Sequence, residues 1–560
     1  MTDTRDFDAG PVDLSAGEEP GAEGVTAARE SRQARAGRLA RSTAFFSFAT
    51  GLSRIAGLVR EIVAASYFGI TPQMSAFTTA FLVPNTIRSL FADAAIQAAF
   101  VPIFTEHLER GNRRQAFHLA SSLIFVVGLI LGALTALLIL IAPVIMPLFV
   151  TSGSELVSDL AVGLSRVLFP ILVLLGLTGM VVGILNSYDR FGVFAISPFF
   201  WNVAIIAVLV GLVPAFPEED EIYAYAIGVL VGTVVQLALP VIDLKNTPFG
   251  IRRALVAPFR GRIGEALRDL DVRRVLILML PVTLSLGLIN INLLINNVIG
   301  YLVSNEAPAA IEKAFRIYML PQGIFSVAIS TVLFPTLARL ATRREYAELR
   351  ATLASGMRQI LFLLLPATAA ILVLSEPMIR LVYERGVFGP GATEVVSTAL
   401  FWFAFSLPFN GLFLLLTRTF FSLQRPWVPT AISAVNLAIT ATVALLLYRP
   451  FGVAGIVAAT AVATAVSVAL QALILRGLLG RLELGRLLIT TVVVGVAAIA
   501  LAVTSFVIWT GLDSLLGRSL VAQVISLSFG LGAGLAAYAA SIAWVGLPEA
   551  TMIWRLIRRR

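Results

Sequence analysis

Long apolar runs recur along nearly the whole chain, with polar residues breaking them at short intervals. Fourteen can be marked, at about 43–67, 75–105, 117–150, 158–188, 196–216, 222–243, 275–303, 309–340, 355–378, 393–423, 427–448, 452–477, 486–511 and 519–546. Most meet or exceed the roughly 20 residues that a helix needs to cross the hydrocarbon layer. Backbone polar groups in lipid must be satisfied within the segment, so the runs read as helices. A β-barrel would show short alternating segments, which are absent. Only 13% of the 560 residues are charged and 58% are hydrophobic, whereas a soluble domain carries about 25% charged residues. The expected fold class is an all-α polytopic membrane protein of about 14 transmembrane helices.

The scarce charges are ordered. Arg29, Arg32, Arg35, Arg38 and Arg41 precede the first run, and Arg110, Arg113 and Arg114 follow the second. Lys245, Arg252, Arg253, Arg260, Arg262, Arg268, Arg273 and Arg274 follow the sixth. Arg343, Arg344 and Arg350 follow the eighth, and Arg555, Arg558, Arg559 and Arg560 end the chain. The alternate loops carry Glu155, Asp159, Glu218 to Glu221, Glu306 and Asp513. Basic loops stay in the cytoplasm, so both termini are expected there. The net charge of +9 is then a topology signal rather than a footprint for nucleic acid. Residues 1–42 read as a disordered cytoplasmic tail without a cleavable signal peptide. The absence of Cys excludes thiolate chemistry, and His107 and His118 alone offer little for a His metal site.

An internal repeat organises the runs. The stretch 80–108 resembles 317–340, pairing Pro84 with Pro321 at an offset of 237 and Pro102 with Pro335 after a four-residue gap. Independently, FPILVLLGL from Phe169 resembles LPFNGLFLL from Leu407, pairing Pro170 with Pro408 at an offset of 238. Two homologous six-helix lobes are expected, related by an axis along the membrane normal. The expected domains are an N-lobe at 43–243, a cytoplasmic linker at 244–274 and a C-lobe at 275–477. Two further helices at 486–546 and a basic tail at 547–560 follow. Two lobes of this kind usually rock about a central site, which favours a transporter.

Charges inside the runs mark that site. Arg54, Arg60 and Glu61 lie in the first run, Arg88 in the second and Arg316 in the eighth. An Arg at a helix centre costs about 2.5–3.5 kcal/mol if it faces lipid. These side chains are therefore expected to face a wet cavity or a counter-charge. Ser53 and Arg60 are seven residues apart, as are Arg54 and Glu61, which puts a polar stripe on one side of the first helix. Internal ion pairs, or snorkelling to an interface, are the structural alternative. With Glu61 and Asp93 read as the opposing acids, the surplus of guanidinium suits a pyrophosphate.

Weaker signals surround it. Pro84–Asn85 and Pro321–Gln322 are expected to break helices at matching places in the two lobes. Asn290, Asn292, Asn296 and Asn297 crowd the seventh run and Asn436 sits in the eleventh, for packing between helices or for a cation. Asp269 and Asp271 form an Asp-x-Asp pattern that some glycosyltransferases use, although a solvated helix explains it as well. No Gly-rich phosphate loop, zinc motif or nucleophile constellation is present, so no enzyme is read.

The strings SRIAGLVREIVAASYFG (53–69), AFTTAFLVPNTIRSLFADAAIQAAFVPIF (76–104), FRIYMLPQGIFSVAISTVLFPTL (315–337) and LVYERGVFGP (381–390) resemble the MurJ/MviN lipid II flippase family. That family lies within the multidrug/oligosaccharidyl-lipid/polysaccharide exporter superfamily, and the similarity runs over about 43–546. The resemblance implies fourteen helices, two lobes in a V and a lipid-tail groove from the last two helices. It implies alternating access that carries undecaprenyl-pyrophosphate-linked peptidoglycan precursor from the inner to the outer leaflet of the bacterial cytoplasmic membrane. The family's cavity arginines match Arg54, Arg60, Arg88 and Arg316, and its following acid matches Glu61. Ser53, Pro84, Asn85 and Asp93 are the companion gating or ion-pair positions. Many members carry Asp where this chain has Ser75. Some members bind sodium through carboxylates, and the corresponding residues here are Asn290, Asn436 and Thr440. Sodium or proton coupling and the membrane potential are the implied drives, and the cell-wall synthesis machinery the implied protein partner. A flippase for another polyprenyl-pyrophosphate glycan and a cation-coupled drug exporter are the rival readings.

Overall fold

The structure, a computed structural model, describes residues 48–91, 94–150, 154–190, 192–260, 264, 268–480 and 484–545. The side chains of 87–91, 94–98, 257–260, 278, 280–291 and 484 lie outside the description. Asp93 and the two terminal tails therefore fall outside the described residues, as do the side chains of Arg88 and Asn290.

All regular structure among the described residues is helical. Helix α1 spans 48–68. It is followed by α2 (Pro72–Phe91), α3 (Ala94–Glu109), α4 (Arg113–Phe149), α5 (Glu155–Leu168), α6 (Ile171–Asn186), α7 (Gly192–Leu212) and α8 (Ile222–Asp243). A short helix α9 (Ile251–Arg260) lies in the basic linker. Next come α10 (Leu270–Tyr301), α11 (Ala307–Pro321), α12 (Val327–Thr342), α13 (Tyr346–Tyr383), α14 (Pro390–Ala404) and α15 (Leu407–Ser422). Helices α16 (Trp427–Leu479), α17 (Leu484–Leu516) and α18 (Leu520–Val545) are the last of the described helices.

Nine helical stretches among the described residues are long and apolar enough to cross a membrane, and the bent pair α14–α15 makes ten. Helix α1 is not among them because Arg54, Arg60 and Glu61 crowd one short helix. Helix α16 counts once, although its 53 residues would be about 80 Å long if straight. It is not straight. Asn436 Nδ2 donates to Ser467 Oγ over 3.0 Å, and those residues would lie about 46 Å apart along one axis. The reversal falls midway, at Gly452, whose φ of 56° is open to glycine. Helix α16 is thus a helical hairpin, with arms matching the two runs read at 427–448 and 452–477.

The prolines divide into two kinds. Pro170 stands at the break between α5 and α6, and Pro408 at the break between α14 and α15, where the bend is 47°. The expected matching break at Pro84 and Pro321 is not found. Pro84 lies inside α2, which stays α-helical around it, whereas Pro321 ends α11 and leads into one π-helical segment, Gln322–Ser326. A proline removes one i→i−4 bond in either place. Only at Pro321 does the chain answer with the wider hydrogen-bond pattern.

Close packing fixes the frame. A Cβ at Gly232 of α8 would lie 2.9 Å from the Trp201 carbonyl oxygen of α7, so the two helices meet backbone to backbone. The α17–α18 pair closes equally tightly, since a Cβ at Gly534 would lie 1.9 Å from Ser505 Oγ. That pair docks on α13 through Phe362, Val494, Leu501 and Tyr538, with the Tyr538 hydroxyl donating to the Phe362 carbonyl over 2.7 Å. An ion pair between Arg380 and Asp513 ties α13 to α17 as well.

Candidate functional site

A cavity of about 500 Å³ opens where α1, α2, α7 and α8 face α10, α11, α15 and both arms of α16. Its charged wall is built on α1 and α11. Glu61 is 5% exposed, accepts hydrogen bonds from Arg60 and Lys313, and has Arg316 as a third, more distant cation. Its Oε1 pairs with Arg60 Nη2 at 2.5 Å and lies 3.8 Å from Arg316 Nε. Its Oε2 accepts from Lys313 Nζ at 2.9 Å. Lys313 is fully buried, under the Tyr383 ring at 5.7 Å. Arg316, one turn below on α11, also holds Glu312 at 2.5 Å and remains open to the cavity. The Arg60 guanidinium lies 4.7 Å over the Trp201 ring, whose Nε1 donates to Thr233 at 3.2 Å. The α7–α8 contact at Gly232 therefore sets the platform on which Arg60 rests.

The four arginines of the sequence reading separate on this geometry. Arg60 and Arg316 share Glu61 and line the cavity. Arg54 is exposed, and its guanidinium sits beside Gly323 in the π-helical segment, where a Cβ would lie 3.6 Å from Nη1. The seven-residue spacing suggested Arg54 beside Glu61, but Glu61 turns to its neighbour Arg60 and to α11 instead. Arg88 lies on α2 with its side chain outside the described residues. Ser53 presents its carbonyl to Asn202 Nδ2 at 3.5 Å, and Asn85 lines the cavity. Lys313 and Glu312 belong to the cluster without being marked by the sequence pattern. Near the start of an apolar run they look like ordinary helix-end charges. Their inclusion leaves three cations facing two carboxylates, a surplus of one around Glu61 rather than the larger excess expected.

The opposite wall is neutral. Asn292 Nδ2 donates to Asn436 Oδ1 at 3.3 Å, Asn436 Nδ2 to Ser467 Oγ, and Asn296 Nδ2 to Thr460 Oγ1 at 3.3 Å. This amide ladder ties α10 to the two arms of α16. Helix α16 carries no carboxylate at all, and α10 carries only Asp271 at its start. Both ends of the Asn436 amide are engaged and no acid stands beside it, while Asn292 Oδ1, Asn296 Oδ1 and Thr440 Oγ1 are buried without a hydrogen-bond partner, and the side chain of Asn290, the third expected sodium ligand, lies outside the described residues. Thr440 is buried next to that ladder on its own arm.

One end of the cavity is sealed. Thr79 Oγ1 meets Tyr301 Oη at 2.8 Å and Asn297 Oδ1 at 3.0 Å. Ser75 Oγ accepts from the Ala309 N–H at 3.2 Å, capping the first turn of α11 from α2. The Val387 N–H donates to the Ser66 carbonyl at 2.9 Å, and Gly386 beside it has a φ of 61°. A Cβ there would lie 2.2 Å from Ser66 O, so only glycine fits the closure.

Asp269 and Asp271 have a separate role. Asp269 caps α10 through the Asp271 and Val272 N–H groups and meets His118 at 3.2 Å. Asp271 meets His107 at 2.8 Å. Both acids are thus engaged with capping and with α3 and α4, and they do not converge on a metal–nucleotide site.

Comparison with known proteins sets this geometry in a family. The family described as "Lipid II flippase MurJ" matches residues 64–559. A "Probable lipid II flippase MurJ" of Rhizobium meliloti (strain 1021) is 32% identical over 519 residues, covering 90% of this chain and 94% of that one. The solved structure titled "Lipid II flippase MurJ, inward closed conformation" superposes with a TM-score of 0.71 at 22% identity, over 90% of this chain and 99% of that one. An inward-facing multidrug-resistance MATE transporter of the MOP superfamily shares the fold with a TM-score of 0.56, at 14% identity, over 78% of this chain and 95% of that one. The chain is a multi-pass protein of the bacterial cytoplasmic membrane and belongs to the lipid II flippase MurJ family.

Proposed function

We propose that this protein moves lipid II, the undecaprenyl-pyrophosphate-linked peptidoglycan precursor, from the inner to the outer leaflet by alternating access. The observation that carries the reading is the cluster around the buried Glu61, in which Arg60 and Arg316 face the cavity between the two halves of the chain. Two guanidinium groups in a cavity of low dielectric bind a pyrophosphate strongly, because each offers a planar fork of donors. Arg54 on α1 and Arg88 on α2 are the further substrate-binding residues of the proposal. The drug-exporter alternative calls for an acidic cavity, and the described charges carry a positive surplus instead.

Fourteen crossings in two lobes are part of the proposal. Support comes from the hairpin form of α16, from the paired breaks at Pro170 and Pro408, and from the matched lengths of α4 and α13, 37 and 38 residues. The N-lobe runs over 43–243 and the C-lobe over 275–477, with the α9 linker between them. With basic loops inside, the seal at Ser66, Ser75 and Thr79 faces outward and the cavity opens toward the cytoplasm. The α17–α18 pair, docked on α13, offers its apolar face to the polyprenyl tail. The cell-wall synthesis machinery then takes the delivered precursor. Charge crosses the field at about 2.3 kcal/mol per unit charge per 100 mV, so the membrane potential assists export of an anionic headgroup.

The test replaces the conditional lipid II flippase of a bacterium by this chain. Growth is expected with the unmodified chain and is lost with Arg60→Ala combined with Arg316→Ala at equal membrane abundance. Growth of the double variant would overturn the anion site, and failure of the unmodified chain would point to another polyprenyl-pyrophosphate glycan.

A further inference from the structure

Within the charged cluster, Lys313 differs from the arginines. It has no exposure, it is not part of the cavity lining, and its ionic partner belongs to the other lobe. Glu61 on α1 and Lys313 on α11 are 252 positions apart in sequence and 2.9 Å apart in space. Other polar contacts between the lobes around this point are weaker in kind. They include the longer Arg316–Glu61 ion pair at 3.8 Å, whose arginine is exposed to the cavity, a hydroxyl–amide cluster at Thr79, a hydroxyl cap at Ser75 and one backbone bond at Ser66. The Glu61–Lys313 bond is the fully buried ion pair of this set, and it lies on the cavity side of the seal.

We propose that Lys313 is a positioning residue for transport, an electrostatic latch that holds the outer side of the cavity shut by its bond to Glu61. The direction of the outer side rests on the reading given under Proposed function. When the lobes part on that side, the pair must separate. Glu61 keeps Arg60, its neighbour on the same helix, at 2.5 Å. Lys313 keeps the face of Tyr383, while the neighbouring Glu312 is engaged with Arg316. The separated ammonium is the costly partner, since a buried cation without its counter-ion is strongly disfavoured. An empty carrier therefore stays closed outward. A phosphate-bearing headgroup in the cavity supplies the negative charge that Lys313 lacks once Glu61 withdraws. Lys313 thus couples outward opening to the presence of cargo, a role distinct from holding the cargo itself.

The chain contains no Cys, so a single introduced thiol reports without background. Thr78→Cys places one in the cavity wall just inside the seal. Spheroplasts are treated from outside with a membrane-impermeant maleimide, and the labelling rate is compared between backgrounds. Lys313→Met and Lys313→Gln are each expected to speed labelling at least fivefold. Lys313→Arg, which keeps the charge, stays near the parent. A thiol at the exposed position Glu218, as Glu218→Cys, must label equally in every background, which measures folded and inserted protein. If Lys313→Met does not insert, Lys313→Gln carries the comparison, because its side chain is polar and uncharged. Labelling of the folded Lys313→Gln variant within twofold of the parent would overturn the latch. That result is independent of substrate identity, so it would leave the flippase reading standing. Conversely, failure of the unmodified chain to support growth would leave the latch measurable.

Discussion

The two walls of the cavity use different chemistry to hold different parts of the molecule together. The charged wall joins α1 to α11 through Glu61 and its three cations, so it crosses from the first half of the chain to the second. The amide wall joins α10 to the two arms of α16 through Asn292, Asn436, Ser467, Asn296 and Thr460, and it stays within the second half. Neutral amide bonds between membrane helices are worth about 0.6 kcal/mol on average. They are adequate for elements that move as one body. A contact that must break and re-form with the transport cycle gains from charge, because charge responds to an ionic cargo and amides do so weakly.

The comparison is broken most severely at Glu61. Glu61→Ala removes the shared counter-ion of Arg60, Lys313 and Arg316, leaving Glu312 as the remaining acid of the cluster. Removing one partner from a buried ionic network costs about 3–5 kcal/mol. Thermal unfolding in detergent is expected to fall by many degrees, with loss of growth support. An unchanged melting temperature would mean that the cluster is solvated and holds nothing. Arg60→Ala comes next. Glu61 keeps Lys313, so the stability loss is limited to the Trp201 stacking and one charged bond, about 1–2 kcal/mol. Growth support is nevertheless expected to fall at least tenfold in plating efficiency. Equal losses of stability and transport would instead make Arg60 a structural residue.

Much of this contrast is visible in the amino-acid string, and the missing part has a physical cause. Arg60 and Glu61 stand out because they lie deep in an apolar run, where a charge has no cheap explanation. Lys313 and Glu312 lie a few residues into a run that begins at Ala309, where snorkelling is an equally good account, so only the fold separates them from ordinary helix ends. The pairing of Arg54 with Glu61 fails for a related reason. Spacing along one helix sets which side chains are neighbours, but the acid chose between Arg60 and a lysine that a different helix brings up. The proline pairs teach the same lesson. Pro170 and Pro408 interrupt their helices alike, while Pro84 and Pro321 do not, because a proline only removes a bond and the surroundings decide how the backbone answers. The hairpin in α16 was legible as a gap between two runs, since Arg449-Pro450-Phe451-Gly452 places a charge, a proline and a glycine together.

The amide wall sharpens the contrast from the other side. Asn436→Ala deletes the acceptor for Asn292 and the donor to Ser467. Two membrane amide bonds at their usual worth amount to about 1 kcal/mol. A loss of that size is expected in detergent unfolding, with growth support retained. Loss of growth at equal abundance would promote this wall from packing to mechanism.

The smallest effect expected is that of sodium. Replacing sodium chloride by choline chloride at equal ionic strength tests whether Asn436 and Thr440 hold an ion. A site saturated a hundredfold above its dissociation constant would stabilise the folded state by about 2.7 kcal/mol, an effect that a melting curve resolves easily. The lack of a carboxylate argues for no shift. Asn436 Oδ1 already accepts from Asn292, no carboxylate occurs anywhere on α16, and the one on α10, Asp271, meets His107 at the far end of that helix. A bound monovalent cation would then have to be neutralised by dipoles alone in a low-dielectric setting, which is unfavourable. A sodium-specific rise of several degrees, abolished by Asn436→Ala, would show that the amides exchange their mutual bonds for an ion, and the neutral wall would then join the charged one in the transport cycle.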